Sequence, residues 1–125
     1  MTESVLVIDN DASMVELLSY LFQQEGLTVH RALDGAEGAM LANAYKPDVI
    51  VSDLLMERLD GFQVLQAIRG NPELSHATVI VVSAKCYKPD IARAKELGAD
   101  AFLVKPFDRH DLLAAMNRAH ESRAA

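Results

Sequence analysis

The chain has 125 residues, half of them hydrophobic, with 12 lysines and arginines against 18 aspartates and glutamates and a formal net charge of −6. This size and composition predict one folded domain over residues 1–125. The charge argues against direct binding to nucleic acid or to an anionic membrane, because both need clustered positive charge. A single cysteine, Cys86, excludes an internal disulfide and favours a reducing cytoplasm. No apolar run approaches the roughly twenty residues of a membrane helix, and the first residues lack the basic start of a signal peptide.

The first half of the chain predicts three strands and two helices. The apolar run at 4–8 is nearly continuous, as in a strand buried on both faces of a parallel sheet, and 49–52 repeats the pattern. Residues 27–31 alternate instead, which indicates an edge strand. Ser13 with Glu16 forms a capping box at the start of the first helix, and Asp34 with Glu37 repeats the signal before the second. Their apolar positions are Met14, Leu17, Leu18, Leu21 and Phe22 in the first, and Ala36, Ala39 and Met40 in the second.

The second half continues the alternation with continuous apolar strands at 79–82 and 101–104. Asp60-Gly61 precedes the third helix, Pro89-Asp90 opens the fourth and Asp108 caps the fifth. Five strands alternating with five helices predict an α/β fold of the (βα)5 type. This is a doubly wound, five-stranded parallel sheet with helices on both faces.

Four of the predicted strands end in a residue suited to phosphoryl chemistry. These residues are Asp9, Asp53, Ser83 and Lys105, after the first, third, fourth and fifth predicted strands. Open α/β sheets bind their ligands at the carboxyl ends of the strands, so the four side chains are expected to converge at one edge. Singly, Asp9 is more simply a helix cap and Asp53 a loop residue. Their joint occurrence with Ser83 and Lys105 is hard to explain by packing.

These residue types supply what phosphoryl transfer needs. Two neighbouring carboxylates repel, which raises the pKa of one of them or recruits a cation. Hard oxygen ligands on a rigid edge suit Mg²⁺ or Mn²⁺. One carboxylate can attack phosphorus to form an aspartyl phosphate, while Lys105 offers a positive charge and Ser83 a hydroxyl donor to phosphoryl oxygens.

The chain resembles the receiver domain of two-component response regulators over essentially its whole length. Asp53 stands at the family's phospho-accepting aspartate, and Asp60-Gly61 matches its D-G pair. Ser83-Ala84 matches the Thr/Ser-Ala after the fourth strand. Residues 98–107, Gly-Ala-Asp-Ala-Phe-Leu-Val-Lys-Pro-Phe, match the fifth-strand motif.

The resemblance implies a flavodoxin-like strand order of 2-1-3-4-5, a cis peptide bond before Pro106 and a switch aromatic at Phe102. It implies that a histidine kinase or histidine phosphotransfer protein phosphorylates Asp53, with Mg²⁺ bound by Asp9, Asp53 and the backbone carbonyl of Leu55. Ser83 and Phe102 would then shift, and the face of helix 4, strand 5 and helix 5 would act on a downstream protein partner or effector domain. Such a receiver is a signalling domain that catalyses only its own phosphorylation and dephosphorylation.

Two positions depart from the family's pattern. Asn10 stands where a second acid is usually a direct metal ligand, so weaker metal binding is expected. Asp11 either compensates for it or caps the first helix. Glu57 replaces the usual proline beside the site. These departures leave a second interpretation open, a degenerate receiver that serves as a phosphorylation-independent protein-interaction module. A small hydrolase of the aspartyl-phosphate type is a more distant alternative.

A homodimer is the remaining partner hypothesis. Receivers of winged-helix transcription factors pair through charged ladders on helix 4, strand 5 and helix 5. Ala101 and Ala115 stand at two of the ladder positions here. That pairing mode is therefore not expected, and the charged residues that leave another mode open are Lys95, Glu96, Arg109 and Arg118.

Overall fold

Five strands form one parallel sheet in the computed structural model, which describes residues 3–54, 60–84 and 88–124. The strands are β1 (Ser4–Ile8), β2 (Thr28–Ala32), β3 (Val49–Asp53), β4 (Thr78–Ser83) and β5 (Ala101–Val104). Their order is β2-β1-β3-β4-β5, so the predicted α/β fold and its flavodoxin-like order are confirmed. The helices are α1 (Ala12–Gln24), α2 (Gly35–Tyr45), α3 (Gly61–Arg69), α4 (Lys88–Glu96) and α5 (Arg109–Ala124), with a 3-10 turn at Pro72–Leu74. Three residues singled out in the sequence, Leu55, Glu57 and Cys86, lie outside the described ranges.

Alternation along the strands divides the core into two layers. On one face, α1 and α5 pack on Val5, Val7, Val49, Val51, Ile80 and Val82. On the other face, α2, α3 and α4 pack on Leu6, Ile8, Ile50, Val79 and Val81. Strands β1, β3 and β4 therefore bury both faces, which explains their continuous apolar sequences.

Strand β5 differs from the expectation of a strand buried on both faces. Leu103 is its one buried residue, and Val104 is 39% exposed. Among the strands of the described ranges, β5 pairs with β4 alone and lies at the edge of the sheet, so it lacks the cover that a second neighbour brings. Its apolar run resembled that of a central strand, and the prediction of two-sided burial was wrong.

Two helices also bury different residues from those predicted. Leu17 of α1 is 43% exposed, because Val15, Leu18 and Phe22 face the sheet and Leu17 lies on the far side of the helix. Met40 of α2 is 63% exposed. α2 packs instead through small residues: a Cβ added to Gly38 would lie 2.5 Å from Ile8 Cδ1. Within the described ranges, no helix is both long enough and apolar enough to cross a membrane.

Candidate functional site

Three of the predicted strand-end side chains meet at the carboxyl edge of the sheet. Asp9 directly follows β1 and Asp53 ends β3, its paired neighbour, and both residues are buried. Lys105, directly after β5, brings its Nζ to 2.9 Å from Asp9 Oδ2 and 3.5 Å from Asp53 Oδ2. One ammonium therefore lies between two buried carboxylates that would otherwise repel each other.

The surroundings of Lys105 favour its charged form. Burial by itself lowers the pKa of Lys105, but the hydrogen bond to Asp9 and the charges of Asp53 and Asp9 outweigh it, so that the pKa is raised above its ordinary value. The side chain is thus a permanent cation at physiological pH. It compensates the carboxylates and offers a positive charge to any anion that enters beside them.

Ser83, the last residue of β4, is the fourth strand-end residue at this edge of the sheet. It is 2% exposed, and its strand pairs with β3 in a register that sets Val82 opposite Asp53. The Ser83 carbonyl accepts a hydrogen bond of 2.8 Å from the Lys105 backbone N–H, which ties the ends of β4 and β5 together. The Lys105–Pro106 peptide bond is cis, the isomer that the resemblance implies.

Asp11 acts as the N-cap of α1. Its carboxylate accepts a hydrogen bond of 2.9 Å from Ser13 N–H, so the capping box expected at Ser13 and Glu16 was wrong and the cap lies two residues earlier. The Asp11 N–H donates to Asp9 Oδ1 at 2.9 Å. Asp9 is thus held at one oxygen by the start of α1 and at the other by Lys105. Between the two alternatives for Asp11, this geometry favours capping.

The first turn of α3 packs closely against the backbone of Asp53 and Leu54. Asp60 and Gln63 form a capping box, and Gly61 N–H donates to Leu54 O at 3.0 Å. A Cβ on Gly61 would lie 2.4 Å from Asp53 O and 2.6 Å from Leu54 Cα. Only glycine permits this approach. The sequence identified the Asp60-Gly61 pair but not the contact that requires it.

The donor set fits a hard divalent cation of the kind the resemblance implies. Asp9 and Asp53 bring two carboxylates from neighbouring strands within reach of one cationic group. No cluster of three or more His, Cys, Asp or Glu side chains suited to a metal occurs among the described residues. Two charged ligands suit Mg²⁺, which keeps several of its waters. The third ligand implied, the Leu55 carbonyl, lies outside the described residues, and Asn10 is exposed beside Asp9.

Phe102 lies on the edge strand β5, three residues before Lys105. It is partly buried, packs on the core layer that contains α3, and borders an open hollow of about 310 Å³. The other residues around the hollow are Leu103, Val104, Asp111, Ala114 and Arg118. Ala115 is fully buried, so this position presents no side chain to a partner.

The fold and the residues at the carboxyl edge of the sheet together define a class of protein. Comparison with known families identifies that class. The chain matches the sequence model of the response regulator receiver domain over residues 5–117. It therefore belongs to the receiver domain family of two-component response regulators, which are signalling domains.

Individual relatives agree with this assignment. Protein PilH of Pseudomonas aeruginosa is 33% identical over 113 residues, which cover 90% of this chain and 93% of PilH. The DNA-binding dual master transcriptional regulator RpaA of Synechocystis is 34% identical over 110 residues, 88% of this chain and 46% of RpaA. The chain thus spans about half the length of several curated relatives that it matches.

Solved structures show the same similarity. Chemotaxis protein CheY4 of Vibrio cholerae superposes with a TM-score of 0.90 at 28% identity, covering 95% of this chain and 99% of that one. The CheX-CheY-BeF3-Mg complex of Borrelia burgdorferi matches with a TM-score of 0.86 at 28% identity, covering 91% and 86% of the two chains.

Proposed function

We propose that this receiver domain is a phosphoryl-accepting switch in which Asp53 takes a phosphoryl group from a histidine kinase or histidine phosphotransfer protein. The observation that carries the proposal is the Lys105 ammonium, which contacts the carboxylates of both Asp9 and Asp53 at the carboxyl edge of the sheet. Ser83 ends the adjacent strand β4 at the same edge. Phosphoryl transfer depends chiefly on such positioning and charge neutralisation.

The reaction follows from the roles these side chains can take. A carboxylate oxygen of Asp53 attacks phosphorus, an O–P bond forms, and the N–P bond to the donor imidazole breaks. Lys105, already within 3.5 Å of Asp53, donates to a phosphoryl oxygen of the product. The Ser83 hydroxyl donates to another oxygen. Asp9 keeps Lys105 in place through its hydrogen bond of 2.9 Å.

We assign the metal-binding role to Asp9 and Asp53, with the Leu55 carbonyl as a third ligand and Asn10 as a weak one. Bound Mg²⁺ or Mn²⁺ would supply positive charge that offsets the carboxylates and the incoming phosphoryl group. The fit of the two carboxylates supports this assignment, and the Borrelia burgdorferi complex with BeF3 and Mg is a structural relative.

Replacing Asn10 by aspartate is expected to raise Mg²⁺ affinity about tenfold. The change adds a carboxylate beside Asp9 without altering side-chain size, and affinity for hard cations rises with ligand charge. Titration with Mg²⁺, followed by the NMR shifts of the amides next to Asp9, measures it. The matched control is Asn43→Asp, a change of the same charge on α2. An equal affinity in wild type and Asn10→Asp would show that residue 10 does not reach the metal.

The output surface we propose is the face of α4, β5 and α5. Ser83 and Phe102 lie on the neighbouring strands β4 and β5, so a change at Asp53 can reach this face through them. Within the described part of α4, Ala94 is the buried residue, so the helix is lightly packed. A downstream protein partner or an effector domain would bind this face differently once Asp53 is phosphorylated.

We also propose that residues 1–125 form one receiver domain, that it lies in the cytoplasm, and that it does not itself bind nucleic acid. The single cysteine and the net charge of −6 support the last two points. A homodimer remains a hypothesis that sedimentation can test. The assembly of Asp9, Asp53 and Lys105 argues against a phosphorylation-independent module.

The proposed function predicts that one phosphate adds to the protein on incubation with Mg²⁺ and phosphoramidate. Intact mass spectrometry measures the addition. Asp53→Asn should abolish it, because an amide is not a nucleophile toward phosphorus. Asp108→Asn, which alters a carboxylate at the start of α5, is the matched control and should be phosphorylated as wild type is. Phosphorylation of the Asp53→Asn variant, or none of the wild type, would contradict the proposal.

A further inference from the structure

We propose that Asp100 is a positioning residue for Lys105, although it lies at the opposite end of β5 from the site; the inference rests on the proposed phosphoryl transfer to Asp53. β5 is a short edge strand with one neighbour and one buried residue, Leu103. Packing alone therefore constrains its register weakly. A further interaction must therefore set the register of β5 and with it the position of Lys105.

Asp100, the residue directly before β5, fixes the register of β5 on β4. Its N–H donates to Val79 O at 2.8 Å, and its Oδ2 accepts from Val79 N–H at 2.9 Å. One residue thus engages both backbone polar groups of Val79. A slip of one residue would displace Lys105 by about 3.3 Å and turn its side chain to the other face.

The Asp100 carboxylate is itself held by two cations from other elements. Arg69, at the end of α3, donates from Nη2 to Asp100 Oδ2 at 2.8 Å, and Arg123 of α5 brings Nη1 to 3.6 Å from Oδ1. Arg69 also donates to Gly98 O at 2.9 Å and to Ala77 O at 2.8 Å. The carboxylate is therefore anchored to the turns that precede both β4 and β5.

The carboxyl end of β5 links the fixed register to the site, because Lys105 directly follows it. Lys105 N–H donates to Ser83 O at 2.8 Å, and its Nζ reaches Asp9. β5 is thus tied to β4 at Val79 and at Ser83. Asp100→Ala removes the side-chain bond to Val79 N–H and leaves the backbone pairing of β4 with β5, Leu103 and the Ser83 contact to place the lysine.

A double-mutant cycle tests whether Asp100 acts through Lys105. We measure the rate of phosphoryl transfer from phosphoramidate with Mg²⁺ for wild type, Asp100→Ala, Lys105→Ala and the double variant. Asp100→Ala should slow transfer about tenfold, since small misplacements of a catalytic group have effects of that order or more. In the Lys105→Ala background, Asp100→Ala should cause no further slowing. Equal slowing in both backgrounds, or no slowing in either, would overturn the proposal.

Asp48→Ala is the matched control for a merely structural effect. Asp48 Oδ2 accepts from Ser4 N–H at 2.9 Å, at the amino ends of the strands, where Asp100 also lies. This bond holds the start of β1, which is a central strand whose residues 5–8 are buried. The control should lose stability and keep its rate. An equal loss of rate in Asp48→Ala would show that the edge position of β5 is irrelevant, which also overturns the proposal.

Amide hydrogen exchange at Lys105 separates this proposal from the proposed function. Asp100→Ala should speed that exchange about tenfold in folded protein, whether or not Asp53 accepts phosphate; unchanged exchange would overturn the proposal. A wild type that is not phosphorylated would refute the function alone. If Asp100→Ala does not fold, Asp100→Asn replaces it. The amide oxygen can still accept from Val79 N–H, but the side chain loses the ion pair with Arg69 that holds it in place. Asp100→Asn should change rate and exchange in the same direction.

Discussion

The Gly61→Ala variant is expected to lose about 2–3 kcal/mol of unfolding free energy and to accept phosphate about a hundredfold more slowly. Its added Cβ would lie 2.4 Å from Asp53 O, and the atoms it meets are backbone, which cannot rotate away. Either α3 moves outward or the end of β3 moves, and both shift Asp53 relative to Lys105. Urea denaturation and the rate of phosphorylation measure the two effects.

Gly70→Ala is the matched control for this prediction. Gly70 is the C-cap of the same helix, with φ of −79° and ψ of −8°, and its added Cβ would lie 3.0 Å from the Gln66 carbonyl oxygen. We expect a change within about 1 kcal/mol and a normal rate. If Gly61→Ala were as mild as Gly70→Ala in both measurements, the contact between α3 and the Asp53 backbone would not constrain the site.

Arg69→Ala is expected to destabilise the domain by about 2–4 kcal/mol, because the buried Asp100 carboxylate loses its nearer cation and keeps only Arg123, at 3.6 Å. The side chain of Asp100 is 9% exposed and that of Arg69 19%. Burial lowers the pKa of Arg69 below its ordinary value, and the Asp100 charge opposes this effect, so each group depends on the other. The carbonyls of Gly98 and Ala77 also lose a donor. Equilibrium denaturation in urea measures the loss.

Arg109→Ala removes an arginine from an exposed pair and serves as the control. Arg109 pairs with Glu25, and its side chain is 55% exposed. Exposed ion pairs contribute about 0–1 kcal/mol, so this variant should stay close to wild type. Equal destabilisation by Arg69→Ala and Arg109→Ala would mean that burial of the Asp100 pair adds nothing.

Much of this fold could be predicted because the central strands bury both faces. β1, β3 and β4 then carry continuous apolar runs, and polar residues at their ends stand out. Parallel pairing brings those ends to one edge, so the proximity of Asp9 and Asp53 follows from topology. The family resemblance supplied the strand order and the assignment of Asp53 as phosphoacceptor, which periodicity alone does not give.

Other features depend on contacts between segments distant in sequence. The apolar run at 101–104 looks like that of a central strand, and its edge position follows from the strand order, which the resemblance supplied and the run itself does not show. The buried face of α2 consists of small residues such as Gly38, which carry no hydrophobic signal. The roles of Gly61 and of the Arg69–Asp100 pair were likewise missed. Each depends on a distance across the fold, to Asp53 O in one case and between the end of α3 and the residue before β5 in the other.

Trapping of the phosphoryl group is the most direct test of the central claim that Asp53 is the phosphoacceptor. Borohydride reduces an acyl phosphate to an alcohol, so an aspartyl phosphate becomes homoserine at the residue that carried it. After incubation with phosphoramidate and Mg²⁺, reduction and peptide mass mapping should place homoserine at position 53 alone, and it should depend on prior phosphorylation. Homoserine at Asp9 or another aspartate, or none in a protein that has gained phosphate, would contradict the account.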